Sequence, residues 1–120
     1  LEKQAAALRA RHGIEVEAIL CEEPEASLEA KEAVYRIAQE ALHNTVKHAR
    51  ASKVEINMEC DPGRITLEIS DDGIGFAMQD DFPGHLGLPS MRERASRLGG
   101  TVEVETAPGE GTRICAWIPT

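Results

Sequence analysis

The stretch that most constrains how this chain can fold is Ser70-Asp71-Asp72-Gly73-Ile74-Gly75-Phe76. It follows Ile65, Leu67 and Ile69, whose alternation with polar residues has the period of a half-buried strand. A strand therefore runs into a pair of carboxylates and then two glycines one residue apart. Glycine adopts positive φ and lets a ligand come close to the backbone, so such a turn can face a bound molecule. A carboxylate held buried and ionised at its mouth can accept a hydrogen bond from an exocyclic amine. Taken alone, the stretch fits an ordinary Asp-Gly turn equally well. It is not the P-loop, which ends in Gly-Lys-Ser/Thr, and it lacks the third glycine of the dinucleotide fingerprint.

The flanking sequence supplies the rest of a domain. Residues 1–12 read as a helix with Leu1, Ala5 and Leu8 on one face, and Gly13 suits its end. Ile14, Val16, Ala18 and Leu20 alternate as a strand. Ser27 is placed to cap a long helix whose apolar stripe, Val34, Ile37, Ala38, Ala41, Leu42, Thr45 and Ala49, runs to about Arg50. Val54, Ile56 and Met58 mark a strand ending near Cys60, and Asp61-Pro62-Gly63-Arg64 turns it into the strand before Asp71. Residues 74–87, rich in glycine and carrying Asp80-Asp81, read as a mobile loop. Ser90 and Glu93 fit a capping box for a short helix with Met91, Ala95 and Leu98 inward, stopped by Gly99-Gly100. Val102 and Val104, then Ile114, Ala116 and Ile118, form a hairpin across Pro108-Gly109-Glu110-Gly111. This order predicts a two-layer α/β sandwich, a mixed and mostly antiparallel sheet with three helices on one face.

At 120 residues the chain, 1–120, is one domain, with residues 1–12 as a lead-in helix. Its formal net charge of -8, from 21 acidic and 13 basic residues, excludes the basic footprint of a general nucleic-acid binder. Any anion must be held locally, by a few cations, backbone N–H groups or a metal. Cys21, Cys60 and Cys115 are odd in number, far apart and each in an apolar strand-like segment, which predicts buried free thiols in a reducing compartment. No apolar run approaches the roughly 20 residues of a membrane span, and no signal peptide is visible, so no direct membrane contact is expected. The chain opens inside a helical pattern without an initiator Met, as a piece of a longer protein would.

On the long helix, Glu40, Asn44 and Lys47 fall at spacings of four and three, beside the apolar stripe. A carboxylate, an amide oxygen and an ammonium in line suit a divalent ion and a phosphate. The same pattern also describes the solvated flank of an amphipathic helix.

Four motifs in register decide between these readings. Tyr35-Arg36-Ile37-Ala38-Gln39-Glu40-Ala41-Leu42-His43-Asn44, continuing to Lys47-His48-Ala49, resembles the N box of sensor histidine kinases. Asp71-Asp72-Gly73-Ile74-Gly75-Phe76 resembles their first glycine box. Gly84-His85-Leu86-Gly87-Leu88, followed by Met91-Arg92-Glu93-Arg94 and Leu98-Gly99-Gly100, resembles the second, and Pro108-Gly109-Glu110-Gly111-Thr112 the last Gly-Thr motif. The variants of the first and third motifs resemble the subfamily paired with helix-turn-helix response regulators.

The resemblance implies the Bergerat-type ATP-binding fold shared with gyrase, heat-shock chaperone and mismatch-repair ATPases. It implies that Asp71 accepts from the adenine amino group, that Gly73 and Gly75 admit the nucleotide to the backbone, and that Phe76 and Gly84 belong to the site. By the same resemblance Asn44 holds Mg²⁺, Lys47 meets phosphate with His48 beside it, and Glu40 occupies the position of a water-activating carboxylate in hydrolytic relatives. Residues 76–87 would be the ATP lid, with the Gly87-Leu88 backbone near phosphate at a helix start. Gly111 and Thr112 would support the adenine pocket, Thr112 through Asp71 or a water.

His43 reads as packing, and Arg92 and Arg94 as salt-bridge formers. Pro89-Ser90 depart from the family pattern, in which glycine is commoner. The phosphoacceptor motif is missing, because His12 in Arg9-Ala10-Arg11-His12-Gly13 does not match it. The resemblance implies a cytoplasmic catalytic domain cut away from its sensor and dimerisation parts, from a homodimeric parent, with or without a membrane anchor, that moves the ATP γ-phosphoryl group to a histidine for relay to a response regulator. A protein serine kinase of the anti-sigma-factor type and a non-catalytic nucleotide sensor share the same pocket and are the alternatives.

Overall fold

The computed structural model describes residues 2–21, 27–46, 51–74 and 88–119. Its elements run α1 (Glu2–His12), β1 (Glu15–Ile19), α2 (Leu28–Asn44), β2 (Lys53–Asp61), β3 (Arg64–Asp71), α3 (Leu88–Arg97), β4 (Thr101–Thr106) and β5 (Thr112–Pro119). The strands form one sheet in the order β1-β2-β3-β5-β4. β1 and β2 are parallel, and the other neighbours are antiparallel. The parallel pair is the one joined through a helix, as parallel neighbours require, and the rest are hairpins or near neighbours. The expected mixed sandwich is therefore in place.

Alternation along the strands makes the two layers. Val54 and Ile56, then Ile65, Leu67 and Ile69, then Ile114, Ala116 and Ile118 turn inward and are buried. They meet Ile37, Ala38, Ala41 and Leu42 of α2 and Met91 and Ala95 of α3 in a single core. Burying a side chain the size of Ile37 stabilises the fold by about 1.5–3 kcal/mol, so this stripe, rather than helix propensity, holds α2 on the sheet. Ser27 caps α2, its Oγ accepting the Ala30 N–H at 3.1 Å. Arg9 ties α1 to β1 by donating from Nη2 to the Val16 carbonyl at 2.6 Å. The opposite sheet face carries charge: Lys53 lies 3.4 Å from Glu17, and Arg113 pairs with Glu68 at 2.9 Å and Glu105 at 3.1 Å. These pairs are exposed and add little stability.

Two expectations change, and a third falls partly outside the described residues. Ser90 is not a cap, because α3 already includes Leu88 and Pro89. Proline suits a first helical turn, where its missing N–H is no loss, so Pro89 sets the start that Ser90-Glu93 suggested two residues later. The other end is as expected: Gly100 N–H reaches the Ala95 carbonyl at 2.8 Å and Gly99 N–H that of Ser96 at 3.0 Å, with Gly99 at φ 80. That is a Schellman stop. Secondly, the described part of α2 ends at Asn44 and widens into a π turn at Thr45–Val46. Residues 47–50, where its expected continuation falls, lie outside the described residues. Thirdly, Cys21 and Cys60 are not free thiols but a disulfide, with Cα atoms 5.9 Å apart. Their sequence separation hid that parallel pairing brings the exit of β1 beside the end of β2. Cys115 is free.

Candidate functional site

The period of β3 places the site. Asp71 continues the inward series Ile65, Leu67, Ile69, so its carboxylate enters the helix layer, whereas Asp72 falls on the other side. Asp71 is half-buried. Its Oδ1 accepts the Gly73 N–H at 2.9 Å, and its Oδ2 lies 3.4 Å from the Thr45 hydroxyl at the end of α2. The backbone of Thr112, its register partner on β5, runs beside this carboxylate. Burial pushes the Asp71 carboxyl above its ordinary range, the bonds from Gly73 and Thr45 and the Thr112 backbone pull it back, and the charge of Asp72 adds to the push. An acceptor with neutral donors on one side and low dielectric around it is suited to an amine.

Asp72 is exposed and fastened elsewhere. It accepts from the Ser52 N–H at 2.8 Å, the Ser52 hydroxyl at 2.6 Å and the Lys53 N–H at 3.0 Å. The Ser52 hydroxyl, then the backbone donors, hold its carboxyl below the ordinary range.

The last hairpin closes on this turn. Gly109 N–H donates to the Ile74 carbonyl at 2.5 Å. Gly111, at φ 75, passes so near β3 that a Cβ there would overlap the Asp71 carbonyl oxygen. Glycine is required at 111 for close approach as well as for φ. The Thr112 hydroxyl pairs with that of Thr106 at 3.0 Å.

Thus Thr45 just past α2, Asp71 and Gly73 at the end of β3, and Gly111 and Thr112 at the start of β5 converge, with Asn44 the residue before Thr45. Asn44 is buried and Glu40, one turn earlier, half-buried. Leu88 opens α3, with its side chain in the core. Lys47, His48, Gly75, Phe76, Gly84 and Gly87, and the expected lid over 76–87, lie outside the described residues. His43 is not packed in the core. It is exposed and lines a groove of about 290 Å³ between α1 and α2, beside Leu8, Arg11 and Leu42. On α3 the ion pair is Arg97–Glu93 at 2.6 Å, and Arg92 and Arg94 form none among the described residues.

Sequence reasoning missed two residues. The periodicity puts Thr45 in the apolar stripe, where a hydroxyl at the end of the helix is the available signal. Ser52 gave none, since only the β2–β3 register brings it to Asp72.

Asn44 offers one hard oxygen, and among the described residues no three His, Cys, Asp or Glu side chains gather to hold a metal. Mg²⁺ keeps waters and takes phosphate oxygens, so a single amide oxygen from the protein is compatible with it.

Comparison with known proteins gives the class to which this fold and site belong. The family model described as histidine kinase-, DNA gyrase B-, and HSP90-like ATPase matches residues 29–120. The chain belongs to that family. It is 41% identical over 87 residues to the signal transduction histidine-protein kinase/phosphatase DegS of Brevibacillus brevis, covering 72% of this chain and 22% of that protein. It is 40% identical over 97 residues to the nitrate/nitrite sensor protein NarQ of Escherichia coli, covering 78% of this chain and 17% of that protein. The chain thus spans about a quarter or less of the curated relatives it matches. Among solved structures, the blue-light activated histidine kinase EL346 of Erythrobacter litoralis superposes with a TM-score of 0.80 at 26% identity, over 98% of this chain and 40% of that one.

Proposed function

We propose that this chain is the ATP-binding catalytic domain of a two-component sensor histidine kinase. In the whole protein it would transfer the γ-phosphoryl group of ATP to a histidine on a dimerisation domain, for relay to a response regulator. The observation that carries this reading is the half-buried Asp71 carboxylate, set beneath the end of α2 with Gly73 and Gly111 packed against it. Asp71 accepts from the adenine amino group, and Gly73 gives the base room. Asn44 holds Mg²⁺, which neutralises phosphate charge when bound. Lys47 and His48 meet phosphate, while Gly75, Phe76, Gly84, Gly87 and Leu88 line the nucleotide. Glu40 stands one turn from Asn44 and orients the reacting region. Phosphoryl transfer needs chiefly positioning and charge neutralisation, which this set supplies.

The names of the relatives support the same reading: DegS is a histidine-protein kinase/phosphatase and LiaS of Bacillus subtilis a sensor histidine kinase. No helix of the described residues is long and apolar enough to cross a membrane. We place the domain in the cytoplasm of a homodimeric parent, with its own phosphoacceptor domain and a receiver domain as partners, and without nucleic-acid or direct membrane contact.

Calorimetric titration tests the pocket: the domain should bind ADP with Mg²⁺ and prefer it over GDP. Equal affinity for the two bases would overturn the assignment. Incubation with γ-labelled ATP should leave the isolated chain unlabelled, and fusion to its dimerisation helices should restore labelling there. Label on His12 would contradict the missing acceptor.

A further inference from the structure

The cystine lies away from the pocket. β2 begins at Lys53, whose N–H donates to Asp72, and Cys60 comes seven residues later. At about 3.4 Å per residue the bond sits roughly 24 Å from that end of the strand. β1 runs parallel to β2, so Cys21 leaves the sheet at the same distal end. β1 is an edge strand of five residues, paired to β2 alone. It contributes buried Val16, while Ile19 at its end is 70% exposed. α1 is fastened to it through Arg9 and the Val16 carbonyl. The bond therefore pins a small α1–β1 unit to the sheet at the end where backbone pairing runs out. Both cysteines are partly exposed, which gives a thiolate access to either sulfur.

We propose that Cys21 and Cys60 form a reversible thiol–disulfide couple that fastens α1–β1 to the sheet and is opened by a glutathione-type thiol. One thiolate attacks a sulfur of the cystine, forming a mixed disulfide and expelling the other cysteine as thiolate, which takes up a proton. A second thiolate then attacks the mixed disulfide and frees the remaining cysteine. Two electrons pass from two thiols to the cystine, giving two protein thiols and one external disulfide. Opening releases the distal end of β1 and leaves the Asp71 turn as it was.

The test uses the chain with Cys115→Ser, so that only this pair can exchange. After equilibration in glutathione buffers of graded redox ratio, free thiols are counted by alkylation and mass spectrometry, and amide exchange is measured at both ends of the series. Both thiols should appear together. Exchange in β1 should be about tenfold or more faster when reduced, as expected where a strand end loses its covalent tie, with β3 and β5 unchanged. Cys21→Ser should reproduce the reduced pattern. Thiols that stay free in fully oxidised glutathione, or equal β1 exchange in both states, would overturn the proposal. So would a fall in ADP affinity on reduction, because the couple would then act on the pocket. Failure of ADP to bind in either state would count against the nucleotide reading alone, since the exchange measurement needs no nucleotide.

Discussion

Asp71 and Asp72 are adjacent, chemically identical and at the end of one strand, yet their surroundings push their acidities in opposite directions. Asp71 inherits the inward phase of β3 and loses water. Asp72 stays in water and accepts from Ser52 and Lys53. One step along a pleated strand reverses the face, and with it the work a carboxylate can do. Asp71 is the half-buried acceptor that the proposed function gives to a ligand. Asp72 is a clasp that holds the chain entering β2. The carboxylate that stays in water, clasped by Ser52 and Lys53, is thus the one with less to offer a ligand.

The substitution expected to break this difference altogether is Gly111→Ala. Its Cβ would meet the Asp71 carbonyl oxygen and also approach the Asp72 Cα at 3.4 Å, so both residues would shift together. A forced backbone movement combined with a residue strained at φ 75 should cost about 3 kcal/mol or more. Chemical denaturation would read this as a lowered midpoint with ADP affinity also reduced. Wild-type stability would show that the hairpin moves freely away from β3.

Asp71→Asn and Asp72→Asn should separate the two roles. On the proposed role of Asp71, an amide at 71 keeps the shape but can turn a donor toward the adenine amine, and the charge assistance is lost. Such a loss is typically ~1.5–3 kcal/mol, or roughly ten- to a hundredfold in ADP affinity. Asp72→Asn should instead lower stability by about 1 kcal/mol, a small value because the clasp is exposed, and change ADP affinity less than about twofold. Equal effects of the two substitutions on ADP binding would erase the distinction.

How acidity affects stability sharpens the same contrast. Asp71, with its folded pKa raised, favours the fold when protonated; that contribution is complete below the ordinary aspartate pKa of about 3.9 and lost as pH rises through the folded value. Asp72, with its folded pKa lowered, contributes above about 3.9 and loses that contribution as pH falls through its folded value. Thermal melts across the acid range should therefore show Asp71→Asn gaining on the parent as pH rises and Asp72→Asn falling behind it. Parallel curves would refute the opposed shifts.

The sequence displayed the elements where a period ran unbroken. Ile65, Leu67 and Ile69 announced β3 and hence the phase of Asp71, and the α2 stripe announced its buried face. What it could not display depends on the register in which the strands pair. Ser52 meets Asp72 and Cys21 meets Cys60 only after β2 pairs with β3 on one side and β1 on the other. Gly111 was legible as a turn glycine, but its closeness to Asp71 follows from the Asp71–Thr112 register. Thr45 fell between these cases. Its position on the inward face was plain, while the partner of its hydroxyl was set by where β3 ends.

That hydroxyl gives the smallest and most discriminating test. Thr45 has one proton and two acceptors in reach, the Ala41 carbonyl at 3.2 Å and Asp71 Oδ2 at 3.4 Å. Back-bonding to Ala41 is the ordinary habit of a helical threonine and would leave Asp71 without this donor. Thr45→Val keeps the shape of a side chain that is 2% exposed and removes the hydroxyl alone. If the proton serves Asp71, the variant loses a donor to the charged form, and the Asp71 carboxyl moves further up. ADP affinity near neutral pH should then fall about two- to fivefold, the effect of one long hydrogen bond. Its decline on acidification should also begin at a higher pH than in the parent. If the proton serves Ala41, affinity and its pH profile stay where they were while α2 frays slightly at its end. Titration of ADP into both proteins over a pH series distinguishes the two, and an unmoved profile would remove Thr45 from the account of Asp71.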